Sequence, residues 1–208
     1  GCGTGIISLC ILKHGAAEVV SGDCSRRMLT AYKTKTVSCG YDINRISLCQ
    51  LDARYLPLKD ESFEVVSAGM LLSLIPKQQD VIAEMVRVLQ PGGTLALSVC
   101  GPNHYWEAID AMLKAIARHY TFVFHILGYR PEFWQRDEYD IQRMLAQVGL
   151  ADIQTSRLTW KCEFENGGKA YDFLIATSGA WWYDKCPLKK RDALSLEIRH
   201  YFEHSKVR

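Results

Sequence analysis

Short apolar runs alternate with amphipathic stretches through the first hundred residues. This alternation predicts βα units and a mostly parallel sheet. The predicted strands are residues 17–21, 45–51, 63–68 and 94–99. The predicted helices are residues 6–13, a helix that Ser25 caps and that begins at Arg26, and residues 77–89. In the third helix Val81, Ile82, Met85, Val86 and Leu89 share one face, and Pro91-Gly92-Gly93 is expected to stop it.

The pattern changes after Pro102, where an aromatic-rich stretch over residues 103–135 interrupts the alternation and predicts an inserted helical cap. Beyond the cap we expect helices at 137–148, 171–177 and 188–204, and a strand at 153–164 that alternates apolar with polar positions. The length of 208 residues fits a single domain over residues 1–208.

Composition and charge narrow the class of protein. The chain is 48% hydrophobic and 23% charged, as expected for a folded soluble domain, and its net charge of +2 does not indicate a nucleic-acid partner. Eight scattered cysteines without a CxxC pair predict free, buried or semi-buried thiols in an intracellular, cytoplasmic protein, with no metal site. No signal peptide and no apolar run of about 18 residues is present, so no membrane span is predicted.

The chain opens with the glycine-rich loop Gly1-Cys2-Gly3-Thr4-Gly5. Such a loop lets backbone approach a ligand closely and turn into a helix whose first N–H groups face that ligand. Asp23 follows the next predicted strand, about 20 residues on, where a carboxylate can accept hydrogen bonds from ribose hydroxyls. Because Ser25 can cap the following helix, Asp23 is expected to be available. Both nicotinamide dinucleotides and S-adenosylmethionine fit these features.

Four sequence stretches distinguish between these two cofactor hypotheses: GCGTG, VVSGDCSRRML, LDARYLPLKDESFEVVSAG and EMVRVLQPGGTLALSV. In order and spacing they resemble the class I S-adenosylmethionine-dependent methyltransferases, particularly the small-molecule branch that includes the ubiquinone and menaquinone biosynthesis methyltransferases. The resemblance covers residues 1 to about 100. It implies a Rossmann-like methyltransferase sheet, S-adenosyl-L-methionine as cofactor, a cofactor-binding core at 1–100, and α-rich aromatic cap segments at 101–136 and 165–208.

The resemblance also assigns the site residues. The implied cofactor-binding positions are Gly1, Gly3, Thr4, Gly5, Asp23, Cys24, Asp52, Ala53 and Gly69. It implies that Asp52 accepts from the adenine amino group, Ala53 lets the ring lie flat, Cys24 forms an apolar wall and Gly69 admits the methionine part. No obligatory catalytic residue is expected. If the acceptor is a hydroxyl, His104 or Tyr105 is the candidate general base, and a surface role is the alternative for each.

Two departures from the family pattern affect these expectations. The chain begins at the glycine loop, so we expect an N-terminal truncation that removes the first strand with its acidic residue, and a last strand missing at the other end. Two neighbouring strands would then lack a partner along one edge. Residues 72–74 read Leu-Ser-Leu where family members often carry histidine.

The predicted function is S-adenosylmethionine-dependent methyl transfer to a small organic acceptor by in-line displacement. The aromatic residues of the cap favour an apolar or aromatic acceptor. A catalytically inactive, methyltransferase-like binding subunit is one alternative. An NAD-dependent oxidoreductase is the other, disfavoured because Asp52-Ala53 and residues 88–93 have no role there. The acceptor, its target atom and the oligomeric state stay open.

Overall fold

A computed structural model describes residues 1–101, 137–176 and 188–204 of the chain. Two compact units are present, Gly1–Pro102 with Pro131–Thr155 and Asn103–Arg130 with Ser156–Arg208. The described elements of the first unit are α1 Ile6–Lys13, β1 Val19–Asp23, α2 Arg26–Ser38, β2 Ile46–Gln50, β3 Phe63–Gly69, α3 Gln78–Val88, β4 Leu89–Ser98 and α4 Glu138–Ala146. Those of the second are α5 Gly167–Ala176 and α6 Leu188–His204. None of the described helices is long and apolar enough to cross a membrane.

The strands form two parallel pairs. β1 pairs with β2 from Val19 opposite Ile46 to Asp23 opposite Gln50. β3 pairs with β4, and the pairing ends with Gly69 opposite Ser98. Within the described residues these pairs are separate two-stranded sheets. Because each pair is parallel, the last residues of its two strands lie side by side, and polar or glycine residues stand at these ends.

Each strand pair has its own hydrophobic core. The core beside β1 and β2 is built from Leu9, Leu12, Tyr32 and Ile46. The core beside β3 and β4 is built from Ala68, Leu72, Val81, Ile82, Met85 and Met144. The predicted apolar face of α3 is confirmed for Val81, Ile82 and Met85, which are buried, whereas Val86 is partly buried and Leu89 belongs to β4. Full burial of a side chain such as Ile82 contributes about 1.5–3 kcal/mol, which fixes α3 against the strands that end at the site.

The bounds predicted for α3, residues 77–89, are confirmed to within one residue at each end. The expectation that Pro91-Gly92-Gly93 stops the helix is wrong, as is the predicted start of the next strand at residue 94. The helix ends at Val88, and β4 begins at once with Leu89, which pairs with Phe63. The pairing then jumps to Val65 opposite Thr94, so the proline and the two glycines form an irregularity inside the strand. Gly92 has φ +79°, and a Cβ on Gly93 would lie 2.9 Å from the Glu64 carbonyl oxygen. The glycines therefore permit a bulge beside β3.

Several predicted bounds in the second half also change. The strand predicted at 153–164 does not form; among the described residues no neighbouring strand supplies its hydrogen bonds, and Leu158 and Trp160 stay 68% and 76% exposed. The helix predicted at 171–177 begins earlier, at Gly167, and the one predicted at 137–148 spans Glu138–Ala146 with Asp137 as its N-cap. The helix predicted at 188–204 is confirmed as α6.

The cysteines follow the sequence prediction only in part. The seven that the structure describes are free thiols. The expectation of burial is wrong for four of them, which are exposed on helices, turns or irregular segments: Cys10, Cys24, Cys39 and Cys162. Cys100 is buried, and Cys2 and Cys49 are partly buried. Hydrophobic character alone did not distinguish these positions, because an exposed thiol costs little.

Candidate functional site

The glycine loop is held by its backbone against the carboxyl end of β1. The Gly1 ammonium and the Cys2 N–H donate to the Gly22 carbonyl at 2.7 and 2.8 Å. The Gly3 N–H donates to Asp23 Oδ2 at 2.8 Å. Three successive residues of the loop are therefore fixed by the last two residues of the strand, and the loop and the carboxylate form one structural unit.

Gly5 closes the loop as the N-cap of α1, and only glycine fits there. Its φ is +80°, and a Cβ would lie 2.2 Å from Cε2 of Tyr32, which is fully buried. A buried contact between the Ser8 and Ser21 hydroxyls at 2.9 Å ties α1 to β1 beneath the loop. Since the N-cap is glycine, it has no side chain that could cap α1. The first N–H groups of the helix thus lack the usual side-chain acceptor, which suits an incoming acceptor atom.

Asp23 is the charged centre of this unit and only 6% exposed. Its Oδ2 accepts from Gly3, and its Oδ1 accepts from the Ser25 N–H at 2.8 Å. Ser25 caps α2 as predicted, because its hydroxyl accepts from the Met28 N–H. Each of the two Asp23 oxygens also accepts one nearby backbone N–H, which the sequence did not predict. A carboxylate has about four acceptor positions, so about two remain for a ligand hydroxyl.

Asp52 has a partner that the sequence analysis missed. Arg54 donates to its carboxylate through Nε at 3.0 and 3.2 Å and through a terminal nitrogen at 2.6 Å, and the Arg54 backbone N–H donates at 2.9 Å. These bonds lower the pKa of Asp52 to about 2. The carboxylate is therefore ionised at neutral pH and already well supplied with donors. Ala53 packs against the core beside β3 and β4.

Gly69 ends β3 and is covered by α1. A Cβ at this position would lie 2.2 Å from Cδ1 of Ile7, so the Ile7 side chain packs directly on the backbone at the end of β3. A Cβ on Gly1 would lie 2.2 Å from Cδ1 of Leu71. Met70, with φ +59°, donates its N–H to the Ser98 carbonyl at 2.8 Å. The glycine loop therefore contacts the ends of both β1 and β3.

Backbone bonds bring the remaining predicted positions to the same edge. The Leu51 N–H donates to the Asp23 carbonyl at 3.1 Å, which places Asp52 one residue from that contact. The Gln50 side chain donates to the Cys24 carbonyl at 3.1 Å, and the Cys24 thiol side chain is exposed. Thr4 is exposed on the loop. His104 and Tyr105, the candidate bases, lie outside the described residues.

The described part of the site offers hydrogen-bond donors and carboxylates rather than an activated nucleophile. Burial raises the pKa of the Cys2 thiol to about 11, so this cysteine is protonated at neutral pH and is a poor nucleophile. Backbone N–H groups of the loop and helix, the Asp23 carboxylate and the close-approach glycines can together bind a polar, nucleoside-containing molecule. The arrangement is suited to holding a cofactor that carries its own reactivity.

Comparison with known proteins agrees with the resemblance to methyltransferases. Residues 1–97 match a family model described as a methyltransferase domain. The phosphatidylethanolamine N-methyltransferase of Cereibacter sphaeroides is 36% identical over 121 residues, which cover 57% of this chain and 56% of that protein. The demethylmenaquinone methyltransferase of Bacillus pumilus (strain SAFR-032) is 38% identical over 94 residues, covering 44% and 39%. The chain thus spans about half of the length of the first relative and less than half of the second.

The fold has a solved counterpart. The YcgJ protein of Bacillus subtilis aligns with 100% of this chain and 76% of its own, at a TM-score of 0.61 and 19% identity. At this identity the likeness shows the fold alone. It confirms the predicted α/β, Rossmann-like architecture.

Proposed function

We propose that the chain is a class I S-adenosylmethionine-dependent methyltransferase of the small-molecule type, which binds S-adenosyl-L-methionine at the glycine loop and transfers the methyl group to a small organic acceptor. The match of residues 1–97 to a methyltransferase-domain model and the methyltransferase relatives support this proposal. The observation that carries the proposal is the unit formed by the loop and Asp23, in which Gly3 and the carboxylate meet at 2.8 Å. The cofactor supplies an electrophilic methyl group on a sulfonium. The protein supplies position and exclusion of water.

Five of the predicted residues near the carboxyl ends of the strands then have these roles in holding the cofactor. The acceptor positions left on Asp23 bind ribose hydroxyls. Gly5 and Gly69 keep the loop, α1 and the end of β3 close enough for the methionine part to lie along backbone. Cys24 flanks the adenine ring, and its exposed side chain supports this placement. Asp52 accepts from the adenine amino group with an acceptor position that Arg54 leaves, a role that its ionised state supports.

For the acceptor, we propose an apolar or aromatic small molecule whose nucleophilic atom attacks the methyl carbon in line with the carbon–sulfur bond. That bond breaks, and S-adenosylhomocysteine leaves as a neutral thioether. The aromatic composition of residues 103–135 supports this proposal. The two curated relatives are named for phosphatidylethanolamine and for demethylmenaquinone. These acceptors differ, so the names support an organic acceptor without fixing the target atom. If that atom is a hydroxyl oxygen, His104 or Tyr105 is the proposed base. The free cysteines support a reducing, cytoplasmic compartment.

Calorimetric titration with S-adenosylhomocysteine tests the cofactor site. Asp23→Asn replaces one acceptor oxygen with an N–H donor that opposes the loop N–H groups. Since a hydrogen bond to a charged group contributes about 1.5–3 kcal/mol, the affinity should fall at least about tenfold. Asp42→Asn is the matched control, because exposed Asp42 accepts from the Asn44 N–H at 2.9 Å in a similar turn away from the loop. It should leave the affinity unchanged.

Three outcomes separate the functions. Binding of S-adenosylhomocysteine that depends on Asp23, with no binding of NAD, supports the proposal. Binding of NAD instead would favour the oxidoreductase. A folded chain that binds the methyltransferase cofactor, yet transfers no methyl group across an acceptor screen in which full-length relatives are active, would favour the inactive binding subunit.

A further inference from the structure

The last turn of α6 carries a group of metal-ligating side chains that the cofactor site does not use. His200, Glu203 and His204 follow the spacing H-x-x-E-H, which places all three on one helix face. Their ligand atoms lie within 4.8 Å of one another, and all three residues are exposed. The two imidazole rings are 4.0 Å apart between centroids and tilted by 40°.

The backbone fixes the protonation of one imidazole. His204 Nδ1 lies 2.8 Å from the His200 carbonyl oxygen. Because a carbonyl only accepts, Nδ1 is the nitrogen that carries the proton, and Nε2 of the neutral ring keeps its lone pair. Histidine ligands of metals almost always donate their other N–H to a carbonyl or carboxylate in this way. Nε2 of His204 can therefore bind a metal while Nδ1 keeps its contact with the carbonyl.

Glu203 is oriented by a second contact. Arg199 Nε donates to Glu203 Oε1 at 3.2 Å, and a terminal nitrogen of Arg199 donates to Asp172 on α5 at 3.0 Å. The guanidinium thus links the carboxylate to the neighbouring helix and restricts its movement. Its positive charge is partly offset by Asp172, so a cation at Glu203 meets less repulsion than a lone arginine would cause.

We propose that His200, Glu203 and His204 bind a divalent transition metal such as Zn²⁺. Two imidazoles and one carboxylate suit Zn²⁺, Ni²⁺ or Cu²⁺, whereas Mg²⁺ and Ca²⁺ prefer sites made of oxygen ligands. Three protein ligands leave at least one position of a tetrahedral metal for water or another ligand. The site lies in the second compact unit and does not depend on the proposed methyl transfer. The scattered cysteines predicted no metal site, but this group of side chains contains no cysteine.

Titration of the full chain with ZnCl₂ tests the site. Loss of an outer-shell partner alone costs metal sites about 10–100-fold in affinity, so His200→Ala and His204→Ala should each weaken binding at least about tenfold. Glu203→Gln should also weaken it. His14→Ala is the matched control. His14 is an exposed helix-end histidine that also bonds the carbonyl four residues earlier and lies near the Cys10 thiol, but among the described residues it belongs to no group of three possible metal ligands.

Exposed cysteines also take up zinc, so the second measurement identifies the ligand atoms. Long-range ¹H–¹⁵N spectra of the imidazoles should show zinc shifting His204 Nε2 and a ring nitrogen of His200, unchanged by His14→Ala. Circular dichroism establishes that the variants keep their helices. The proposal is overturned if the wild-type chain binds no zinc, if the two α6 histidine variants bind as tightly as wild type, or if zinc leaves the His204 resonances in place.

Discussion

Replacing Gly5 with alanine should destabilise the chain far more than the same change two residues earlier. At Gly5, alanine must adopt φ +80° and place its Cβ 2.2 Å from a ring carbon of buried Tyr32. The left-handed backbone costs about 1–2 kcal/mol and overpacking a core about 1–3 kcal/mol, so Gly5→Ala should cost about 2–5 kcal/mol. Gly3 has φ +54°, but no atom lies within 4 Å of the position that an alanine methyl would take, so Gly3→Ala should cost only the first part.

Urea denaturation followed by circular dichroism measures both costs as free energies of unfolding. Titration with S-adenosylhomocysteine then compares the two variants under conditions where both are folded. We expect Gly5→Ala to lose more stability than Gly3→Ala and also to bind more weakly, because the helix start must move away from Tyr32. Equal stability losses for the two variants would refute the steric argument. The loop would then owe its glycines to backbone conformation alone.

Two further predictions concern the same edge. In the folded chain the pKa of Asp52 is about 2, against an ordinary 3.8, so its ion pair with Arg54 stabilises the fold above about pH 4. This stabilisation is lost as the pH falls through 2. Carboxyl ¹³C titration should show that Arg54→Ala returns the pKa of Asp52 toward 3.8, and an unchanged pKa would exclude Arg54 as the cause. Alkylation by iodoacetamide, followed by mass spectrometry, should show that S-adenosylhomocysteine protects exposed Cys24 but not exposed Cys39 at the end of α2; equal protection of both would contradict the placement of adenine beside Cys24.

The periodicity of the chain predicted the helices, which are stabilised by their own hydrogen bonds and caps or by the burial of one face. α6 has the predicted bounds, α2 begins at its predicted cap Ser25, and the buried face of α3 was read from spacing. The errors concern segments whose structure depends on hydrogen bonds with a neighbouring strand. β4 begins at Leu89 because Phe63 offers a partner there, and residues 153–164 form no strand because alternation alone supplies no hydrogen bonds.

The resemblance named candidate site residues but predicted none of the contacts between them. Gly3 and Asp23 are separated by 20 residues in sequence, and the bond between them accompanies the backbone contact of the loop with Gly22 at the end of β1. The pairing of Asp52 with Arg54 had a usable signal, an arginine two residues after an aspartate in a turn. The α6 cluster had one as well, since histidines four apart with an intervening glutamate lie on one helix face.

The most direct test of the cofactor site is a ¹H–¹⁵N correlation spectrum of the ¹⁵N-glycine-labelled chain, recorded with and without S-adenosylhomocysteine. Gly3, Gly5 and Gly69 should shift on binding. Gly15 and Gly40, in turns whose would-be Cβ positions are open, should not. Shifts confined to the control glycines, or no shift at a ligand concentration that saturates related methyltransferases, would contradict the assignment of this edge as the S-adenosylmethionine site.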